Sequence, residues 1–267
     1  MRHFPRLSTA LFGGLAIAGS FACSHQQPPP AAANTEIEAE AAPAPTPPAP
    51  AAKEPVATET PAPAEQPASE APKRMAYTNP TAEALGTLPK EVGLPAGAQA
   101  PDVTLHDIDG KEVKLRALAS SGPVMVVFYR GGWCPYCNYQ IHELTEAYPE
   151  FQKRGVTPVA ISVDRIEEGT KTRAVYQIPF PVISDPDLAA HQAFKVAHHV
   201  DDETLAKYKE YGIDLEVASG RPHHNIAVPA IFLLDRTGKI VWSHASLDYK
   251  VRPSTEQLLG MIDRLLR

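Results

Sequence analysis

The stretch Pro123-Val124-Met125-Val126-Val127-Phe128-Tyr129-Arg130-Gly131-Gly132-Trp133-Cys134-Pro135-Tyr136-Cys137 decides how the chain is read. Its first seven residues are an unbroken apolar run of strand length, the pattern of a buried strand in a parallel sheet. Two glycines lie between that run and a C-x-x-C pair with Pro135 just after the first cysteine. Proline suits the first position of a helix, where its missing N–H costs nothing. Ile141, Leu144, Tyr148 and Phe151 recur at helical spacing, so a helix is predicted over 135–153, with Gly155 just past its end. Two residues between cysteines at a first helical turn place the sulfurs on neighbouring positions of one face, where a disulfide closes with little backbone movement. The helix dipole and free N–H groups favour a thiolate at Cys134, the expected nucleophile. Cys137, one turn deeper, is the expected resolving thiol. A structural disulfide and half of a zinc site use the same spacing, but zinc takes about four ligands and there is no second C-x-x-C.

Outward from this stretch, strands and helices alternate from about Asn79 onward. Runs at 103–108 and 112–115 flank Asp109-Gly110, a hairpin signal. A helical turn is predicted at 115–119 and a second buried strand at 156–163. A helix over 166–177 stops before Pro179. A short strand at 180–183, a short helix at 188–194 and a helix at 204–211 follow. Runs at 230–235 and 239–242 flank Arg236-Thr237-Gly238 as a hairpin, and 255–266 is an amphipathic closing helix. This alternation implies an α/β layer structure with a largely parallel centre.

A C-x-x-C beside a β-α-β pattern is a thioredoxin-like redox motif. Val228-Pro229 supports it, because a proline entering a buried strand is unusual in a sheet interior. In the thioredoxin fold a cis-proline occupies this place beside the C-x-x-C and exposes the preceding backbone to a partner chain. The segment 128–137, together with Pro181-Val182-Ile183-Ser184-Asp185-Pro186 and the run 228–239, resembles the alkyl hydroperoxide reductase / thiol-specific antioxidant family, the peroxiredoxin-like branch of the thioredoxin superfamily. The likeness spans roughly 97–267. It implies a thioredoxin-like fold, with a central mixed β-sheet flanked by helices; it does not cover the N-terminal tail, which composition reads as disordered. It also implies thiol-based reduction of hydroperoxides, with electrons returned by thioredoxin or a similar dithiol donor and no cofactor.

The sequence departs from that family at two points. Typical members carry a proline and a threonine seven and three positions before the peroxide-attacking cysteine. Those positions hold Val127 and Gly131 counted from Cys134, and Arg130 and Cys134 counted from Cys137. Typical members also place an arginine where Pro229 stands. An exported thioredoxin-like reductase of protein disulfides, using the same two cysteines, is therefore the alternative reading. A redox-inactive binding module with a structural C-x-x-C bridge is a third. Arg130 is placed to supply the missing positive charge, or else lies on the surface with its stem on the sheet. Trp133 is expected to cover the disulfide and form a docking surface, or simply to pack. The strand 124–129 holds no acid, so a buried proton acceptor is absent or comes from elsewhere. The histidines at 198–199 and 223–224 point in different directions within each pair, and no i,i+4 histidine pair occurs, so no metal site is expected.

Residues 1–22 follow the charged, apolar, small order of a secretory signal peptide. Ser20-Phe21-Ala22-Cys23 resembles the box that precedes a lipidated cysteine in bacterial lipoproteins. Ordinary cleavage at Ser20-x-Ala22 competes with it. Residues 23–78 read as a disordered Ala/Pro/Glu-rich tether, and 79–267 as the folded domain. Thirteen of the 28 prolines lie in 28–72, a stretch without aromatics whose net charge of −6 equals that of the whole chain. Such a sequence buries too little apolar surface to order itself. The folded part is nearly neutral, so the acidity says nothing about substrate charge, and an electrostatic case for nucleic acid fails. Three cysteines exclude a disulfide scaffold, and no run is apolar enough for a multi-pass membrane protein. The expected location is the bacterial cell envelope or periplasm, with membrane contact only through a lipid anchor at Cys23.

Overall fold

The computed structural model describes residues 77–266. The signal peptide, Cys23 and all of the tether but its last two residues lie outside them. Those two residues belong to the fold. Thr78 pairs with Val251 as a parallel bridge, and the Tyr77 ring packs edge-on against Tyr139 at 5.4 Å. The folded part therefore takes in Tyr77 and Thr78, which composition had assigned to the tether.

Strands β1 (Thr104–Asp107) and β2 (Glu112–Lys114) form the expected hairpin, followed by α1 (Leu115–Ser121). The apolar run becomes β3 (Val124–Phe128), and the C-x-x-C opens α2 (Pro135–Glu146). The single helix predicted over 135–153 is two. Helix α2 ends at Glu146, and α3 runs from Tyr148 to Lys153. Pro149 is the cause, since it has no N–H for the carbonyl of Thr145 and its ring crowds that carbonyl. Next come β4 (Thr157–Ser162), α4 (Ile166–Tyr176), β5 (Val182–Ser184) and α5 (Ala189–Ala193). Helix α4 stops with Gln177 in the left-handed conformation, two residues before Pro179. Strands β6 (Ala197–His199) and β7 (Asn225–Ala227) were not anticipated. They pair with each other outside the main sheet and enclose α6 (Asp202–Glu210) and α7 (Leu215–Ser219). Strands β8 (Ala230–Leu234) and β9 (Ile240–Ala245) and helix α8 (Thr255–Leu265) complete the chain.

The main sheet runs β2-β1-β5-β4-β3-β8-β9. Only β3–β4 and β4–β5 pair in parallel; β8 lies antiparallel against β3, and β9 against β8. The largely parallel centre expected from the alternation is thus a mixed sheet, the thioredoxin-like arrangement implied by the resemblance. Strands β3 and β8 are buried throughout, and their side chains alternate between two cores. Val124, Val126 and Phe128 join Phe232 and Leu234 on one face. Met125 and Val127 join Ile231, Leu233, both described cysteines and the buried sides of α2 and α8 on the other. The redox motif therefore starts at the carboxyl edge of the central strand and continues into a helix packed on the sheet. Among the described residues, no helix is long and apolar enough to cross a membrane.

Ile141 lies one turn beyond Cys137 and is fully buried. Ile141→Ala is expected to lower the unfolding free energy by about 2–5 kcal/mol, read as a lower urea midpoint at unchanged slope.

Candidate active site

The backbone beyond β3 crosses the sheet edge in a narrow gap. Gly131 has φ +149, and a Cβ there would meet the Trp133 indole and stand 2.7 Å from Asp164 Oδ1. A Cβ on Gly132 would strike Thr172 Oγ1. Two glycines are thus needed to bring the loop past α4. Asp164, just beyond β4, holds the loop by accepting the Gly132 N–H at 2.7 Å, and Asn138 Nδ2 donates to the Gly132 carbonyl at 2.7 Å. Cys134 is the N-cap of α2, and Pro135 takes the first helical position as expected.

Both sulfurs are enclosed: Cys134 is 1% exposed and Cys137 0%. Their surroundings differ. Cys137 Sγ receives Arg252 Nη2 at 3.2 Å and the Arg130 backbone N–H at 3.4 Å. Cys134 Sγ has Arg130 Nη1 at 3.9 Å and takes no capping hydrogen bond from the helix. Burial works against a charged Cys137, but the Cys134 thiol, Arg252 and the Arg130 N–H outweigh it and bring that thiol down to about 5. Cys134 moves the opposite way, pushed up by its hydrogen bond to Cys137 and by burial. The sequence placed the thiolate on Cys134 because helix N–H groups stabilise anions. Here those groups do not reach its sulfur, and the donors converge on Cys137.

Arg130 is not a surface residue. It is 6% exposed and stacks under three rings, with its guanidinium 4.2 Å from the Tyr249 centroid, 5.0 Å from Trp133 and 5.6 Å from Tyr208. It also donates to the Tyr208 hydroxyl. Trp133 is half-buried in this aromatic box, packing on Tyr208 rather than standing free. Pro229, between β7 and β8, lines a cleft of about 270 Å³ together with Arg130, Tyr208 and Tyr249. Four of the expected site residues thus meet with Pro229 around one cleft and one dithiol.

Two residues of this centre were missed. Arg252, from the loop before α8, is 1% exposed. It donates to Gln140 Oε1 at 2.7 Å and to the Tyr249 carbonyl at 3.0 Å, which fixes its third contact on Cys137. No motif surrounds it. Asp164 is the carboxylate that β3 lacked, supplied from the neighbouring strand. Burial lifts it to about 7, against the hydrogen bonds from Gly132 and Ser162, and the charge on Cys137 adds to the rise. An acid directly following a buried strand beside the motif strand was a readable signal, because sites gather at carboxyl ends of strands.

Between about pH 4, where a free aspartate ionises, and about pH 7, the folded state holds a proton on Asp164 that the unfolded state has lost. Stability from this group therefore falls as pH rises through that window. Urea unfolding of Asp164→Asn beside the unsubstituted protein, at pH 4 to 8, is expected to show the unsubstituted protein losing stability relative to the variant as pH rises through that window, the opposing contribution of Cys137 being common to both.

Residues 96–243 match the AhpC/TSA family. The thiol-disulfide oxidoreductase ResA of Bacillus thuringiensis subsp. konkukian is 26% identical over 157 residues, covering 58% of this chain and 73% of that protein. The chloroplastic peroxiredoxin Q of Oryza sativa subsp. japonica is 34% identical over 89 residues, covering 33% and 41%. Among solved structures, peroxidoxin BcpB from Mycobacterium tuberculosis superposes with a TM-score of 0.51 at 19% identity, covering 65% of this chain and 98% of that one. Xanthomonas campestris peroxiredoxin Q gives 0.50 at 22%, covering 64% and 99%. The family match spans more than half of the sequence, and the fold agrees with it: the chain belongs to the AhpC/TSA family, within the thioredoxin superfamily.

Proposed function

We propose that this protein reduces hydroperoxides through the Cys134/Cys137 dithiol. The observation that carries the reading is the burial of both sulfurs, with Arg130 linking the dithiol to a cleft of about 270 Å³ that Arg130 and Pro229 both line. A small peroxide fits such a site, whereas a disulfide on a folded protein reaches either sulfur only after the aromatic box is displaced. One thiolate attacks the peroxide, an S–O bond forms as the O–O bond breaks, and the alcohol leaves. The second thiol then displaces water from the sulfenic acid and closes the disulfide, which an external dithiol of the thioredoxin type reduces. The chain's own sulfurs carry the two electrons, so no cofactor takes part. Taken with the signal and Cys23 readings, the reaction runs in the bacterial envelope on a tethered domain.

Reduction of protein disulfides is the second reading. Pro229 at the cleft and the similarity to ResA favour it. Consumption of hydrogen peroxide and cumene hydroperoxide with a thioredoxin donor, measured beside insulin reduction, separates the two. Peroxide turnover that is lost when either cysteine is replaced is the expected result. Brisk insulin reduction without peroxide turnover overturns it, and a disulfide that dithiothreitol leaves intact points instead to a structural bridge.

A further inference from the structure

We infer that Cys137, not Cys134, is the sulfur that attacks the peroxide, and that Arg252 is the residue that activates it. This assignment of roles rests on the hydroperoxide reading above. Two adjacent buried thiols share one proton at neutral pH, because two thiolates at such a distance repel strongly. The charge settles where the donors are. Cys137 Sγ has Arg252 Nη2 at 3.2 Å, the Arg130 N–H at 3.4 Å and the Cys134 thiol. Cys134 Sγ has the Arg130 guanidinium at 3.9 Å and nothing closer from a cation.

Arg252 is built to hold that position. Its Nη1 is fixed by Gln140 and its Nε by the Tyr249 carbonyl. Gln140 lies three residues after Cys137 on α2, so the helix that carries the sulfur also anchors its partner. The backbone of Arg252 is clamped in turn, with its N–H on the Thr78 carbonyl at 2.9 Å and the Thr78 N–H on the Lys250 carbonyl at 3.0 Å. The titratable and charged groups around Cys137 are Tyr129, Arg130 and Cys134 from the segment joining β3 to α2, Asp164 after β4, and Arg252 before α8.

The steps balance. The Cys137 thiolate attacks the terminal peroxide oxygen, the O–O bond breaks, and the departing alkoxide takes the Cys134 proton. Cys134, now a thiolate, attacks the Cys137 sulfenic acid, and the hydroxide released takes a proton from solvent. One hydroperoxide yields one alcohol, one water and one disulfide. Cys134 is the sulfur that faces the Arg130 guanidinium, which itself lines the cleft. An incoming dithiol attacks there, and Cys137 leaves as the stabilised thiolate.

The test uses the full chain in three measurements. Cys134→Ser treated with one equivalent of hydrogen peroxide is expected to form a sulfenic acid at Cys137, trapped by dimedone and located by mass spectrometry. A sulfenic acid at Cys134 in Cys137→Ser, with none at Cys137 in Cys134→Ser, overturns the assignment. In the Cys134→Ser background, iodoacetamide alkylation of the Cys137 peptide, separated by mass spectrometry from that of Cys23, reports the Cys137 thiolate without any peroxide. Its midpoint is expected to rise by about two units with Arg252→Met, and the rate at pH 6 to fall about tenfold. An unchanged midpoint removes Arg252 from the role. Should Arg252→Met not fold, Gln140→Leu frees the guanidinium and is expected to shift the midpoint the same way by a smaller amount; no shift again overturns the role. Because the alkylation profile needs no peroxide, failure of the hydroperoxide reading and failure of the Arg252 assignment give different results.

Discussion

A sulfur at the bottom of an apolar core carries charge only if the protein supplies the donors that water would have given. Cys137 meets this constraint with one guanidinium, one backbone N–H and the neighbouring thiol, and much of the local architecture serves those contacts. The paired glycines let the chain turn tightly enough for the Arg130 N–H to face the sulfur. Helix α2 aligns Cys137 with Gln140, and Gln140 aims Arg252. The loop before α8 is fastened to residue 78 at the start of the fold. Segments far apart in sequence thus converge on one atom.

The parts of this design that were legible in the sequence are contiguous ones. The central strand, the C-x-x-C at the helix start and the closing helix each rest on an unbroken run of side chains. Periodicity concealed the break between α2 and α3, because Leu144, Tyr148 and Phe151 keep helical spacing across it; only Pro149 marked it. Strand direction was hidden for a different reason. A fully buried run looks the same whether its neighbour is parallel or antiparallel, so β8 against β3 gave no signal of its own. Strands β6 and β7 escaped because they are three residues each and β6 is exposed throughout, leaving no alternation to read.

The site divides along the same line. Cys134, Cys137, Arg130 and Trp133 sit in one short segment and were found together. Arg252 and Asp164 are single residues brought in by the fold, and the two gaps noted in the sequence are where they arrive. The arginine that Pro229 displaces from the late strand has its counterpart in Arg252, from the other side of β9. The acid missing from β3 has its counterpart in Asp164, from β4. A charge requirement was readable from the chemistry of the motif, but the address of the residue that meets it depends on tertiary packing.

Charge balance also bears on the two functional readings. The hydrogen bonds of Arg252 go to Cys137, Gln140 and Tyr249, and those of the Arg130 side chain to Tyr208 and Cys134. None of these partners is a carboxylate, so the thiolate is the anion within hydrogen-bonding reach of the Arg252 guanidinium. Oxidation to the disulfide removes it and leaves Arg252 and Arg130 without a hydrogen-bonded anion, a costly arrangement in a low dielectric. Whatever stabilises the thiolate therefore favours the reduced pair and makes the disulfide a ready acceptor of electrons. Such a pair takes electrons easily from a dithiol donor and gives them up reluctantly to a protein disulfide. A hydroperoxide, whose O–O cleavage is strongly downhill, still oxidises it. This charge balance is a second argument, beside the size of the cleft, for the hydroperoxide reading proposed above.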